Sequence, residues 1–269
     1  MPINLILIRH GESEGNVASN RSKKGDDSGY SPEFRNRHSS TWRLTKRGRE
    51  QAKAAGVWIK KNLGLAVGRH YTSEYIRAME TAGLLGIEDV QWYVDFYLRE
   101  RDWGDLDVMP VSERDKRYAE AMKRRKIDAF FWNPPNGQSM ADLCLRVDRV
   151  LQTLHRECEG EDVHIVCHGE VMWAFRVRLE RLSQERFREL DLSRNPHDRI
   201  HNCQILHYTR AEDPDYYMEG PYDPHLNWMR SICPWDMSLS SNKWMKIERP
   251  KYSNAELLAR VRKIKPLLK

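Results

Sequence analysis

No Cys-x-x-Cys pair occurs among the five cysteines, Cys144, Cys158, Cys167, Cys203 and Cys233, and their number is odd. A zinc ribbon and a disulfide framework are both disfavoured on that count, so the thiols are expected to be reduced. No apolar run reaches the roughly 18 residues that a membrane helix requires, and no basic leader precedes the apolar start MPINLILIRHG. A soluble cytoplasmic protein is expected. There is also no His-Glu-x-x-His and no aspartate-rich cluster, the usual signs of a metal centre. A segregated charged tail is missing too: the net charge is +6 and the isoelectric point near 9.0, but Lys and Arg are interspersed with Asp and Glu. That pattern favours a small anionic substrate over a nucleic-acid surface.

What is present has an α/β rhythm. Ile3 to Ile8 is nearly all aliphatic without alternation, as in a central parallel strand covered on both faces. Val163 to Cys167 reads the same way and leads into an apolar helical stretch, Val171 to Leu182. Ala52, Ala55, Ile59 and Leu63 mark one helix face; Met140, Leu143, Val147, Val150, Leu151 and Leu154 mark another. Val90 to Val94 and Ile200 to Tyr208 read as further strands. The expected fold is a three-layer α/β sandwich with a mostly parallel central sheet, built as one domain over 1–269. Its core spans about 1–210. Asn20 to Trp42, polar and basic, reads as a long loop or lid-like insertion (20–42). The segment 211–269, rich in Pro, Tyr and Trp, reads as an extension packed on the body and closed by a short helix, Asn254 to Ile264.

Two apolar runs far apart, LILIRHGE at Leu5 to Glu12 and HIVCHGE at His164 to Glu170, end in the same His-Gly-Glu. Their flanks do not match, so this is no duplicated unit. In a parallel sheet, ligands bind outside the carboxyl ends of the strands, where both triplets would fall. Gly11 permits a sharp turn close to a ligand, and Arg9 offers a planar fork suited to phosphate oxygens. A neutral imidazole at His10 can attack phosphorus directly, while His168 can bond the oxygens of the group in transfer. Taken alone, these histidines also fit a hydrogen-bonded strand end or a metal site. Arg9 beside His10 disfavours the cation.

Arg9-His10-Gly11-Glu12 followed by Asn16 resembles the Arg-His-Gly signature of the histidine phosphatase superfamily, the phosphoglycerate mutase-like proteins. Four more segments, in order, are similar to that family's motifs: Leu44-Thr45 with Gly48, Gln51 and Ala52; Ser73 to Ala82 with Arg77 and Thr81; Leu98 to Gly104 with Glu100; and His168-Gly169. The resemblance covers Leu5 to about Tyr208. It implies the phosphoglycerate mutase-like fold, a phosphorylated His10, and Glu100 as general acid. It also implies His168 as second catalytic histidine, and Arg9, Asn16, Arg77 and Gly169 around the phosphate.

No cofactor and no metal are expected. Where the family commonly has Pro-x-Gly-Glu-Ser, this chain has Pro135-Asn136-Gly137-Gln138-Ser139, and Cys167 stands where a small Ser or Thr is usual; Cys167 reads as a packing residue. The implied activity is hydrolysis of phosphate monoesters of a small anionic metabolite through a phosphohistidine. The alternatives are mutase-type phosphoryl transfer and a non-catalytic, phospho-ligand-binding regulatory role. The segment Asp105 to Pro134 does not look like that of glycolytic mutases, which favours the phosphatase. The expected partner is a phosphorylated small molecule, with no nucleic acid and no membrane; a homodimer is allowed. Arg21, Lys23, Lys24, Arg35, Arg37 and Arg43 offer grips for a second anionic group, Trp42 and Trp103 stand near the expected mouth, and the terminal helix is expected to dock on its own domain.

Overall fold

The computed structural model describes residues 1–63 and 68–267. The first half of the chain runs β1 (Asn4–Arg9), α1 (Glu14–Ser22), α2 (Pro32–Asn36), α3 (Lys46–Asn62), β2 (Gly68–Ser73), α4 (Ile76–Leu84), β3 (Trp92–Asp95), α5 (Val111–Arg117) and α6 (Ala119–Ile127). It continues with α7 (Met140–Glu157), β4 (Asp162–Cys167), α8 (Gly169–Glu180), α9 (Gln184–Leu192), β5 (Ile205–Thr209), β6 (Trp228–Ile232), β7 (Met245–Lys246) and α10 (Asn254–Arg262).

One seven-stranded sheet has the order β3-β2-β4-β1-β5-β6-β7. The strands β3, β2, β4 and β1 pair in parallel, whereas β5, β6 and β7 are joined to them and to one another by antiparallel ladders. Successive side chains of β1 enter different cores. Leu5 and Leu7 join the cluster built with Met140, Leu143, Val147 and Phe175 from α7 and α8. Ile6 and Ile8 join Ala52, Ala55, Ile59, Ala78 and Ala82 from α3 and α4. Both faces of the strand are therefore apolar, which is why its sequence shows no alternation. The three-layer α/β arrangement follows.

Helix α3 is anchored where it matters for the site. Thr45 caps it by accepting from the Gly48 N–H at 3.0 Å, and Glu12 Oε1 accepts from Thr45 Oγ1 at 2.8 Å. Gly11 and Gly48 lie back to back: a Cβ on Gly48 would penetrate the Glu12 carbonyl, and one on Gly11 would penetrate the Gly48 carbonyl. Gly48→Ala is expected to destabilise the fold by about 1–3 kcal/mol, the usual cost of forced overpacking. Urea denaturation at pH 8 measures this; an unchanged midpoint would show that the turn after β1 gives way freely.

Several expectations are corrected. The strand read at Val90 to Val94 is Trp92–Asp95, and the one read at Ile200 to Tyr208 starts only at Ile205. Ile200 to Gln204 instead turns back on β1: the Cys203 N–H donates to the Arg9 carbonyl, with Cys203 at φ +51°. Asn20 to Trp42 is no open loop. It holds the end of α1, then α2, then a 3-10 turn at Ser39–Thr41. Pro32 at the first position of α2 and Ser31 accepting from the Phe34 N–H start that helix. Phe34 then stacks on Trp42 at 4.8 Å, and Trp42 packs against Gly15. The 211–269 segment contributes β6 and β7 to the sheet, but α10 does not dock: it has no buried residue, with Leu257, Leu258 and Val261 exposed. The apolar pattern of α10 marks a face, not what covers it. No helix among the described residues is long and apolar enough to cross a membrane.

Candidate active site

Strands β1 and β4 pair in register, Ile8 opposite Val166 and Arg9 opposite Cys167. The residues just past them therefore emerge side by side. His10 and His168 meet edge to face with ring centroids 5.1 Å apart, both buried. The register explains the echoed His-Gly-Glu.

Each ring has a defined tautomer. His10 Nδ1 lies 2.7 Å from the Gly11 carbonyl, which can only accept, so Nδ1 carries the proton. The lone pair is left on Nε2, where the Arg77 Nε–H points at 3.3 Å. Burial first, then Arg77 and Arg9, hold the imidazole well below its ordinary range, so it is neutral at pH 7. His168 Nε2 lies 2.8 Å from Ser73 Oγ. That oxygen already accepts from the Tyr75 N–H, so its own proton is free for Nε2. The His168 Nδ1–H is then a buried donor without a partner.

The cations converge on the same point. Arg9 is half-buried, spends Nη1 on the Ile200 carbonyl at 2.6 Å, and keeps Nε buried and unpaired. Gly169 makes room for it: a Cβ there would stand 3.3 Å from Arg9 Nε. Arg77 donates to the Ser39 carbonyl and lies over the Tyr75 ring at 4.9 Å. Asn16 Oδ1 lies 3.1 Å from the Ser13 backbone N–H and 3.0 Å from Asn202 Nδ2, both donors, which turns its amide N–H₂ away from them. Helix α8 starts at Gly169 with no side-chain cap, so the positive end of its dipole is open to an anion.

Glu100 completes the group. Its carboxyl is pushed up to about 7, chiefly by burial, then by Glu170, against the pull of Arg77 and Arg9. Arg146, buried, donates to the carbonyls of Tyr97, Arg99 and Glu100 and so pins the loop that carries it. His10, Glu100 and His168 offer ligand atoms within 4.8 Å of one another, the spacing of a metal centre. Two guanidiniums beside them make the point better suited to an anion than to a cation.

A cavity of about 330 Å³ opens over this group, walled by His10, Asn16, Arg77 and Glu100 and, nearer solvent, by Lys23, Arg114 and Arg125. Of the six basic residues read from 20–43, Lys23 alone is in its wall. Arg35, Arg37 and Arg43 are paired with Glu113, Glu33 and Glu80. Trp42 and Trp103 both line the cavity. Gln138 does not: its Oε1 meets Arg146 at 3.3 Å and its carbonyl accepts from Arg101. Cys167 is fully buried, its thiol pushed up by burial, which fits packing and not nucleophilic attack. Two other hollows, one lined from α1 and α2 and one beside α6, contain neither histidine.

Asn202, Glu170, Arg101, Arg114 and Arg125 were not among the expected site residues. Asn202 lies in an irregular turn that only the antiparallel β1–β5 ladder brings to His10, where its Nδ2 donates to the His10 carbonyl at 3.0 Å. Arg114 and Arg125 stand on α5 and α6, helices with no buried residue and so with no core-facing pattern to read.

Comparison with known proteins identifies the family. Residues 5–203 match the family model described as histidine phosphatase superfamily (branch 1). A 2,3-bisphosphoglycerate-dependent phosphoglycerate mutase of Parvibaculum lavamentivorans is 32% identical over 205 residues, 72% of this chain and 87% of that protein. The human 6-phosphofructo-2-kinase/fructose-2,6-bisphosphatase 1 is 32% identical over 171 residues, 64% of this chain but 31% of that longer protein. Among solved structures, a putative alpha-ribazole-5'-P phosphatase from Escherichia coli has a TM-score of 0.61 at 22% identity, covering 79% of this chain and 92% of the other. That last likeness concerns the fold.

Proposed function

The chain belongs to the histidine phosphatase superfamily, and from that premise we propose that it hydrolyses phosphate monoesters of a small anionic metabolite through a phosphohistidine, without a metal. One observation carries the reading. A buried, neutral His10 presents an Nε2 lone pair among donors that have no other use, Arg9 Nε and His168 Nδ1. In the first step Nε2 attacks phosphorus, the bond from phosphorus to the ester oxygen breaks, and Glu100 gives its proton to the departing alkoxide. In the second, Glu100 takes a proton from water, water oxygen attacks phosphorus, and the P–N bond breaks to restore His10. Arg9, Arg77, the Asn16 amide, His168 and the open end of α8 stabilise the charge on the equatorial oxygens. Lys23, Arg114 and Arg125 nearer solvent favour a substrate with further negative charge.

The mutase reading is favoured by the 32% identity to a phosphoglycerate mutase. A mutase must hold water away from its phosphohistidine, and here the cavity wall includes Lys23, which is exposed to solvent. A binding-only role is disfavoured because no residue of the catalytic set is missing. The test is phosphate release in EDTA from p-nitrophenyl phosphate, fructose 2,6-bisphosphate, and 3-phosphoglycerate with and without 2,3-bisphosphoglycerate. Release of phosphate is the expected result. Positional isomers without release would replace the phosphatase by a mutase, and neither product from any ester would overturn both.

A further inference from the structure

We infer that Glu170, clamped by Arg101 in the cavity wall, is the partner of Glu100 in a carboxyl pair and serves as a positioning residue that keeps the transferable proton on Glu100. The inference rests on the phosphatase reading of the site, in which Glu100 is the proton donor. Both carboxyls line the same cavity, Glu100 from the segment after β3 and Glu170 from the first turn of α8, two residues beyond His168.

Glu170 is held there by a buried cation. The Arg101 guanidinium is 3% exposed and gives Nη1 to Glu170 Oε2 at 3.2 Å, Nε to the Gln138 carbonyl at 2.7 Å and Nη2 to the Trp132 carbonyl at 3.1 Å. Three acceptors on three segments fix its plane, and Trp103 lies against that plane at 5.0 Å. Glu170 is therefore held in the cavity wall as the ion-pair partner of that guanidinium. A fixed negative charge next to a second carboxyl opposes loss of that carboxyl's proton. The groups facing Glu100 from the other elements act against Glu170: Arg77 from α4, Arg9 from β1, Arg146 from α7 and the Arg101 backbone N–H, which donates to Glu100 Oε1 at 2.9 Å. His10 and His168, both neutral, add no charge. Without Glu170, burial alone would oppose these cations, and Glu100 would hold its proton less firmly when a leaving oxygen arrives. The pairing also gives a use to the third residue of His168-Gly169-Glu170, which the family motif does not claim.

Glu170→Gln tests this, since the amide keeps the shape and an oxygen for Arg101. The titration of Glu100 is read by infrared difference spectroscopy, each protein being referenced to the same protein carrying Glu100→Gln. This needs no substrate. The wild-type midpoint is expected near pH 7, and the Glu170→Gln midpoint lower by about one pH unit. Glu170→Asp, which restores the charge, is expected to bring it back towards the wild type. In turnover, the fall of kcat/KM on the alkaline side should move down by the same interval in Glu170→Gln. A midpoint unmoved by Glu170→Gln overturns the inference, as does a kcat/KM reduced equally at every pH, which marks a structural prop. Should the midpoint move while the wild type releases phosphate from no ester, the carboxyl pair stands and the phosphatase reading falls.

Discussion

Replacing His10 by alanine is expected to lower phosphate release by at least about 10⁴-fold, the scale seen when a covalent nucleophile is removed from an otherwise intact site. The expectation follows from the bonding around the ring. Nδ1 is committed to the Gly11 carbonyl and Nε2 is the atom left with a lone pair, so no other nitrogen nearby can take its place. His168 is no substitute, because its Nε2 is engaged by Ser73 and its Nδ1 is a donor. Arg9 and Arg77 remain in the variant, so substrate should still bind and KM should change far less than kcat. Rapid quenching at alkaline pH with radiolabelled substrate checks the same point: label on the wild-type chain, none on His10→Ala. A variant retaining a tenth of wild-type release would remove His10 from the nucleophile's role and direct the search to water activated by Glu100.

How far the site could be read from the sequence depended on where each residue lies. His10 was legible because β1 is a run of buried aliphatics that stops at a glycine, and both cues are local. His168 followed from the same cues on β4, and parallel pairing in register carried the two rings together. The two glutamates of the echo were not separable in this way. Glu12 turns to Thr45 and Gln51 and fastens α3, whereas Glu170 faces the cavity with Arg101. Nothing near either one in sequence distinguishes them, since the difference is which helix the fold sets opposite. Glu100 and Arg77 were legible through family motifs alone; burial, the property that suits Glu100 to its role, is tertiary. Residues 20–42 misled because their polar composition suits a loop, while the aromatic stack of Phe34 on Trp42 that orders them joins positions eight apart.

Acidification should unfold the protein through its sheet interior, and His164→Leu should remove part of that sensitivity. Three histidines lie in one transverse row of the sheet, set by the register as Trp92, His70, His164, Ile6, His207 and Arg230. His70 and His164 stack with ring centroids 4.9 Å apart and planes within 5°. His164 is buried with no partner on either nitrogen, and burial, then His70, take it down to about 3. The His207 Nε2–H donates to Asn4 Oδ1 and its Nδ1 accepts from Arg230, and burial with that cation holds it well below its usual range. A depressed folded value means that the unfolded chain binds the proton first. The stability due to a neutral His164 is thus complete above about pH 6.5, the unfolded value, and is lost progressively as pH falls towards 3. At pH 5 the loss for this ring is on the order of 2 kcal/mol relative to pH 8. Leucine fills nearly the same volume and cannot be protonated, so His164→Leu should narrow the gap between unfolding free energies at pH 8 and pH 5 by about that amount. Urea titrations of both proteins at the two pH values decide it. An equal gap in the two would mean that acid enters elsewhere, and the other buried imidazoles, His70, His207, His10 and His168, would be the next groups to replace.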